Sequence, residues 1–236
     1  MNYTFNWSFF LKSVGGKETY LSWLFTAWKW TLIVSFFGFI LALSVGLVFG
    51  VFRTTENKYL VRIGNIWTEI FRNVPMLVQI FLWYHVIPFF FPYINKAPRY
   101  VLVIIAIGLF TSSRISEQVK SGIKSLSRGQ KFASLALGLN VFQTYRYTLL
   151  PQAIRIIIPT LTSEAMNIIK NSSVAFAIGV AELTMFAIQS QEETSRGIEI
   201  YLVVTVLYFI SAFTVNLISH FIENKVQLPN SIGSRK

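Results

Sequence analysis

Residues Trp30 to Phe52 read WTLIVSFFGFILALSVGLVFGVF, which is twenty-three residues without a charged side chain. A helix of about 20 apolar residues is long enough to cross the hydrocarbon core of a bilayer. Within this stretch Gly38, Ala42, Gly46 and Gly50 recur every four residues, so they form a stripe of small side chains on one helix face. The segment is therefore predicted to be a membrane-spanning helix against which another helix can pack closely.

Four further segments are apolar enough to cross the membrane. In the second, the helix is predicted to begin at Pro75 and end near Pro88, because proline suits the first turn of a helix and cannot continue one. The fourth is expected to be interrupted by Pro159. Together with the first segment they predict an all-α membrane protein with five spans. The four further spans are Val74–Ile94, the run that opens near Tyr100 and continues through TSSRISEQV, Ile156–Ser172 and Ile200–Ile222.

The stretch between the fourth and fifth spans, Val174 to Gln189, is moderately apolar but broken by Glu182. We interpret it as an interfacial or re-entrant segment. Residues 1–236 are thus predicted to form a single transmembrane domain.

The composition agrees with a membrane protein. Of the 236 residues, 53% are hydrophobic and only 13% are charged, and the mean hydropathy is +0.54. The absence of cysteine excludes disulfides and thiolate metal sites. The formal net charge of +11 would suggest a nucleic-acid partner in a soluble protein, but in a membrane protein it is better explained by loop charges that orient the chain.

The Lys and Arg residues are unevenly divided between the two sides of the predicted spans. Thirteen fall on the side that holds the loops after spans one and three and the tail, including Arg235 and Lys236. Six fall on the other side, including Lys17. Since basic loops stay in the cytoplasm, the amino terminus is predicted to lie outside and the carboxyl terminus in the cytoplasm.

Motifs for enzyme chemistry are missing from the sequence. The one GGK, at Gly15 to Lys17, has Leu11 where a phosphate-binding loop needs its first glycine and Glu18 where it needs Ser or Thr. Only two histidines occur, His85 and His220, which is too few for paired imidazole ligands at helical spacing. We therefore expect no enzyme activity, no metal and no cofactor of its own, so any ATP must be bound by a partner.

The longest polar stretch, Lys120 to Arg155, lies between spans three and four and retains many apolar residues. Its pattern predicts two short amphipathic helices separated by a break at Gly138. A short helix with one apolar face can serve as the docking element of a cytoplasmic partner, or it can simply cover the helix bundle. The pattern alone leaves both interpretations open.

Charged and polar side chains within the spans are candidates for the transport pathway. A charge at the centre of a membrane costs about 2.5 to 3.5 kcal/mol on insertion scales, so each needs a partner or a polar path. The competing interpretation is structural: Glu164 would pair with Lys170 or Arg155, and Arg114 with the carboxylate three residues later. The candidates are Arg114, Glu117, Glu164, Asn167, Lys170 and Asn171, of which Glu164, Asn167 and Asn171 share one helix face.

Three segments resemble the permease subunits of ATP-binding-cassette importers for polar amino acids. The loop matches the family motif E-A-A-x3-G-x9-I-x-L-P, with Phe132 at the glutamate position and Thr148 at the isoleucine position. The stretch EIFRNVPMLVQIF is similar to E-x-x-R-G/N-T/V-P-x-L-V-Q, and SEAMNIIKNSSVAFAIG is similar to N/S-E-x-x-x-x-x-K-D/N-S/T-S. The loop residues in register are Phe132, Ala133, Ser134, Gly138, Leu150 and Pro151, and those of the second signature are Glu69, Arg72, Asn73, Pro75 and Gln79.

The resemblance implies an importer-permease (MetI-like) fold in the inner (plasma) membrane of a bacterium. It implies a second permease subunit, identical or related, two cytoplasmic ATPase subunits and an external binding protein that delivers the amino acid. Residues at about 120–155 would form the coupling loop, with the helix around Phe132 to Gly138 seated in a groove of the ATPase. The chain would then supply half of the translocation pathway.

The segments FRNVP and SSRISEQV are most similar to those of glutamate and aspartate permeases. In related permeases an acidic pair contacts the substrate at the positions of Glu164 and Asn171, and Asn171 removes one negative charge here. Arg114 is a natural reader of a carboxylate, because a guanidinium donates two parallel hydrogen bonds. Glutamate or aspartate is the predicted cargo, the alternatives being glutamine, histidine or another polar amino acid, or a stand-alone carrier or channel.

Overall fold

The computed structural model describes residues 4–16 and 18–226. Lys17, Arg235 and Lys236, which count toward the predicted orientation, lie outside the described residues. A 3-10 helix (Trp7–Leu11) and a short antiparallel strand pair precede the main helices. Its strands, β1 (Ser13–Val14) and β2 (Glu18–Thr19), have two residues each. The α-helices are α1 (Tyr20–Phe52), α2 (Lys58–Asn73), α3 (Met76–Phe81), α4 (Ile87–Phe90), α5 (Arg99–Lys124), α6 (Arg128–Ala136), α7 (Val141–Gln143), α8 (Leu150–Asn171), α9 (Leu183–Thr194) and α10 (Gly197–Val226).

Tight and wide helical turns join several of these helices. Leu82–Val86 is a π-helical turn between α3 and α4, and Thr144–Leu149 is another between α7 and α8. Pro92–Lys96 and Ser172–Ile178 are 3-10 helices.

Three helices of the described chain, α1, α5 and α10, are each long and apolar enough to cross a membrane. Two further helix pairs reach that length only together, because each is bent by more than 40° at a short break. The pairs are 58–73 with 76–90, and 141–178 with 183–194. The described residues therefore hold three to five candidate spans, and the predicted five is the upper bound.

The prediction that Pro159 interrupts the fourth span is wrong, because α8 runs unbroken from Leu150 to Asn171 with the proline inside it. Hydroxyl groups just after the proline donate to backbone carbonyls of the same turn, from Thr162 to Ile158 at 3.1 Å and from Ser163 to Pro159 at 3.3 Å. A proline removes only its own N–H, which would have bonded the carbonyl of Arg155, so these bonds accompany the continuous helix rather than replace the lost one.

Two helices extend beyond their predicted ends. The first begins at Tyr20 rather than Trp30, because Leu24 and Ala27 are buried in a core that the apolar run alone does not reveal. The second begins directly after Pro75, as predicted, but continues past Pro88 to Phe90. Pro88 lies in the first turn of α4, where its missing N–H is not needed.

The chain divides into two compact units. The first comprises residues 1–40, 74–108 and 167–213. One of its cores packs Phe9 and Phe10 against Phe186 and Leu183. Glu182 caps α9 within this unit: its fully buried carboxylate accepts from two backbone N–H groups at 2.9 Å and from the hydroxyl of Tyr208 at 2.7 Å. Capping thus accounts for the polar break predicted at Glu182.

The second unit comprises, among the described residues, 41–73, 109–166 and 214–226. Here Gly46 and Gly50 of the small-residue stripe lie against α5, which shows the close helix packing that the sequence predicts without naming the partner helix. A Cβ atom on Gly46 would lie 2.7 Å from Cβ of Ile115, and one on Gly50 would lie 2.5 Å from Cβ of Val119. Such distances leave no room for a side chain, so glycine is required at both positions for the helices to approach this closely.

Candidate functional site

A buried carboxylate and a partly exposed guanidinium face each other in the second unit. Oε2 of Glu164 in α8 lies 3.5 Å from Nη1 of Arg114 in α5, and its Oε1 accepts from Gln118 at 3.4 Å. The Glu164 side chain is 10% exposed, whereas that of Arg114 is 43% exposed. Charge-assisted hydrogen bonds are usually about 2.7–2.9 Å long, so this ion pair is a loose one.

Glu117 occupies a different network. Its Oε2 lies 2.7 Å from Nη2 of Arg53, and two further cations, Arg72 and Lys120, each approach its carboxylate to 3.7 Å. The expected local pair between Arg114 and Glu117 is therefore wrong, since both residues find partners on other helices. The helix places these side chains three residues apart, but tertiary contacts decide their pairing.

Arg53 is a residue whose role sequence reasoning missed, because it was counted only as a loop charge that orients the chain. The structure buries it directly after α1. Besides Glu117, it donates from Nε to Asn65 at 2.9 Å and from Nη1 to Ser116 at 3.4 Å. Gly64 makes room for this side chain, since a Cβ there would lie 2.6 Å from Cγ of Arg53.

The remaining pathway candidates belong to the first unit. Asn167 and Asn171 are half-buried and Lys170 is exposed, and all three lie in α8. Because α8 is continuous, the spacing of Glu164, Asn167 and Asn171 along one helix face is retained. Their contact with a substrate stays a prediction.

The coupling-loop residues form the two short helices with a glycine break that the sequence predicts. Between α6 and α7, Gly138 has a φ of +84°, a left-handed conformation that glycine adopts without strain. Asn140 starts α7 with a capping box that is completed by Gln143. The exposed apolar side chains of this loop include Phe132, which is 64% exposed, and Leu137, which is 83% exposed.

Two departures from the family motif compensate each other. Ser134 replaces an alanine and Thr148 replaces an isoleucine, and the hydroxyl of Ser134 donates to that of Thr148 at 2.9 Å. Ser134 is buried on the inner face of α6, whereas Ala133 is exposed. Leu150 and Pro151 form the first turn of α8. The hydrogen bond thus ties α6 to the turn that leads into α8.

The second signature is split between the two units. Glu69, Arg72 and Asn73 are exposed at the end of α2 in the second unit. In the first unit, Pro75 directly precedes α3, and the buried Gln79 donates from Nε2 to the carbonyl of Val74 at 2.9 Å. The proline and glutamine of this signature therefore shape the chain at the start of α3.

Residues 42–228 match the sequence profile of the family described as binding-protein-dependent transport system inner membrane component. The chain belongs to this family. The match covers most of the chain, including the coupling loop and α8. The recognition of an importer permease from its three sequence segments is thereby confirmed.

Similar proteins extend over the whole of this permease. It is 37% identical to the glutamate/aspartate import permease protein GltJ of Escherichia coli strain K12, with 100% of both chains covered. It is 30% identical to the glutamine transport system permease protein GlnP of the same strain, over 85% of this chain and 91% of that protein. A crystal structure of an amino acid ABC transporter with histidines matches with a TM-score of 0.75 and 26% identity, covering 87% of this permease and 95% of that chain.

These matches support the importer-permease fold of the described helices, and they place this permease among membrane proteins. Within the described residues, no group of three metal-ligating side chains lies together. The structure brings Arg114 and Glu164 together, places Glu117 with Arg53, and leaves the three other pathway candidates in the first unit.

Proposed function

We propose that this permease is one subunit of an ATP-binding-cassette importer for acidic amino acids, glutamate or aspartate. The observation that carries an amino-acid cargo is the Arg114–Glu164 pair, a cation and an anion held at a loose 3.5 Å. The similarity, over 100% of both chains, to a relative named for glutamate and aspartate import supports an acidic amino acid. The pair offers a cation for the carboxylate and an anion for the ammonium group of an amino acid.

Arg114 would bind a carboxylate of the substrate. Its guanidinium donates in a planar fork that matches a carboxylate, and it remains charged in a partly dry site. Because 43% of its side chain is exposed and its contact with Glu164 is long, a substrate carboxylate can replace Glu164 at little cost. The Phe110 ring, 5.9 Å from the guanidinium carbon, holds the arginine from one side.

Glu164 would take the ammonium group of the substrate. When Arg114 turns to the substrate carboxylate, the Glu164 carboxylate keeps its contact with Gln118 at 3.4 Å and can accept a hydrogen bond from another cation. An α-ammonium group supplies that charge through charge-assisted hydrogen bonds.

Transport would be driven by partners. In this proposal the exposed face of α6 docks on a cytoplasmic ATPase, a second permease completes the pathway, and an external binding protein delivers the cargo. The excess of basic residues on the side of the coupling loop supports a cytoplasmic loop, an external amino terminus and five spans in a bacterial inner membrane. This permease then performs no chemistry itself, and ATP is hydrolysed by the ATPase.

Competition for uptake tests the cargo. Liposomes containing the permease with its second permease, cognate ATPase and binding protein should take up labelled glutamate in the presence of internal ATP. Unlabelled aspartate should block this uptake, and glutamine or histidine in equal excess should not. Glutamine is the relevant competitor, because a relative at 30% identity is named for it. Blocking by glutamine but not by aspartate would overturn the acidic cargo.

The same liposomes distinguish a subunit from a stand-alone carrier. With the permease alone, no uptake should occur under an ion gradient. Uptake by the isolated permease would overturn the proposed assembly.

A further inference from the structure

A pocket of about 330 Å³ opens in the second unit where α5 ends and α6 begins. It lies apart from Arg114 and Glu164, and the proposed transport cycle does not use it. Its lining combines three cations, two hydroxyl-bearing loop residues, a tyrosine and an apolar floor: Thr54, Ile123, Lys124, Leu126, Ser127, Arg128, Lys131, Tyr145 and Leu149.

The cations of this pocket exceed its anions. Lys131 donates to Glu56 at 2.7 Å, which neutralises one of the three positive charges. Neither Lys124 nor Arg128 forms an ion pair within the residues that the structure describes. Two positive charges therefore remain at the mouth of a pocket that has room for a small anionic group.

The floor of the pocket is apolar and fixed. Ile123 and Leu149 are buried, at 8% and 4% exposed. Tyr145 closes one side, since its hydroxyl donates to the carbonyl of Thr54 at 2.7 Å. Free phosphate is fully hydrated and gains nothing from apolar walls, whereas the glycerol and upper acyl region of a lipid does.

The end of a predicted span would place the pocket at the depth of lipid headgroups. Lys124 is the last residue of α5, a helix long and apolar enough to span the membrane, so the pocket begins where that span ends. Clusters of Lys and Arg at this depth on the cytoplasmic side attract anionic lipids, by about 1 kcal/mol for each charge. The cytoplasmic position follows from the proposed orientation of the chain.

The pocket opens behind α6 rather than on its exposed face. Arg128, Lys131 and Ser134 follow one another at three-residue spacing, and Ser134 is buried. Ala133 is exposed on the opposite side of the helix from Lys131, whereas Phe132 lies four residues after Arg128 and shares its side. An ATPase that docks on the Ala133 side of α6 would therefore leave the pocket free.

We propose that this pocket binds the phosphate-bearing headgroup of an anionic phospholipid, with Lys124 and Arg128 on the phosphate and Ile123, Leu126 and Leu149 against the glycerol region. A bound lipid would brace α6 against the end of α5. The lipid composition of the membrane would then affect how firmly the coupling loop is held.

Native mass spectrometry of the purified full-length permease tests this proposal. Phosphatidylglycerol and phosphatidylcholine of equal chain length are added in turn to protein in a neutral detergent. The wild type should retain phosphatidylglycerol in preference to phosphatidylcholine. The double substitution Lys124→Gln and Arg128→Gln should reduce that preference about thirtyfold, because it removes both unpaired cations.

The matched control is the double substitution Lys58→Gln and Arg62→Gln, which removes two exposed cations of α2 that do not line the pocket. It should retain the preference for phosphatidylglycerol. Equal loss in both double variants would overturn the pocket, since binding would then follow total charge alone. Displacement of the lipid by millimolar inorganic phosphate would reassign the pocket to free phosphate and overturn the lipid. Neither readout depends on the transported cargo.

Discussion

A single buried guanidinium, that of Arg53, connects three helices of the second unit. It follows the end of α1, donates to Asn65 of α2 and forms its ion pair with Glu117 of α5. A buried charge is costly unless its hydrogen-bonding capacity is used, and here three acceptors surround it. The position of Arg53 therefore depends on the space that Gly64 leaves beside it.

Replacing Gly64 with alanine tests this dependence. The added Cβ would lie 2.6 Å from Cγ of Arg53 and 3.0 Å from the carbonyl oxygen of Phe49, and a backbone atom cannot move away cheaply. We expect a destabilisation of about 1–3 kcal/mol, typical of overpacking. Thermal unfolding of the purified permease, followed by the fluorescence of its six tryptophans, measures the change.

Gly129→Ala is the matched control. Its Cβ would meet only the hydroxyl oxygen of Ser127, at 3.4 Å, and alanine favours a helix by up to about 1 kcal/mol over glycine. Its unfolding temperature should stay the same or rise. Equal losses in the two variants would show that the space beside Arg53 is not the cause.

At Arg114, conservative and non-conservative substitutions should separate charge from geometry. Arg114→Gln should abolish most glutamate uptake, and Arg114→Lys should retain part of it, because lysine keeps the charge but loses the bidentate fork. Uptake in the reconstituted complex is measured alongside the amount of assembled complex. Loss of assembly in both variants would instead favour a structural ion pair with Glu164.

At the scale of the element, the coupling loop depends on one backbone conformation. Gly138 leaves α6 with φ at +84°, and the capping box of Asn140 and Gln143 then starts α7. No heavy atom lies within 4 Å of a Cβ placed on Gly138. Any effect of a side chain there must therefore come from backbone strain rather than from a clash.

Substitution of Gly138 by leucine should uncouple ATP hydrolysis from transport. A left-handed conformation costs an ordinary residue about 1–2 kcal/mol, which favours a rearranged connection between α6 and α7. Asparagine tolerates this conformation better than leucine, so Gly138→Asn should keep most of the coupling. The ratio of substrate transported to ATP hydrolysed is the measurement. Unchanged coupling in Gly138→Leu would show that the break is not needed.

The loop after α1 is linked to α6 by the ion pair of Glu56 and Lys131. The hydrogen bond from Lys131, and then its charge, lower the pKa of the Glu56 carboxyl below its usual value. A carboxyl whose pKa is lowered in the folded state stabilises that state above its unfolded pKa, and this contribution is lost as the pH falls through the folded value. Because the pair is exposed, the effect is small.

We therefore expect Glu56→Gln to lower the unfolding temperature slightly at neutral pH and to have no effect in acid, where Glu56 is protonated in either state. In a Lys131→Met background the same substitution should have no effect at either pH. Unfolding temperatures of the four proteins across this pH range measure the coupling. A Glu56 effect that persists without Lys131 would contradict the pairing.

At the scale of the whole molecule, the sequence predicts best the structural features that depend on residues close together in the chain. The apolar run from Trp30, the helix start after Pro75 and the break at Gly138 each follow from neighbouring residues, and the structure contains all three. The burial of Arg53 depends on residues distant in the chain, and no local pattern marks Pro159 as a proline inside a continuous helix. For the same reason, residue spacing did not predict that Arg114 would pair with Glu164.

The absence of cysteine makes the orientation of the chain directly testable. Single cysteines at Asn95, after α4, and at Ser125, after α5, lie in exposed connections at opposite ends of a predicted span. With a membrane-impermeant maleimide, Asn95→Cys should react in intact cells and Ser125→Cys only after the membrane is permeabilised. The reverse pattern would place the amino terminus in the cytoplasm.

The π-helical turn at Thr144–Leu149 affects how the chain tolerates changes in length. A π turn holds one more residue per hydrogen-bonded ring than an α turn. Deleting one residue there would allow an unbroken α-helix from Val141 into α8, but it would rotate every upstream residue by about 100° around the helix axis. The turn thus fixes the rotation of α6 relative to α8. A change in length that has no effect in most loops would here turn the coupling helix to face a new direction.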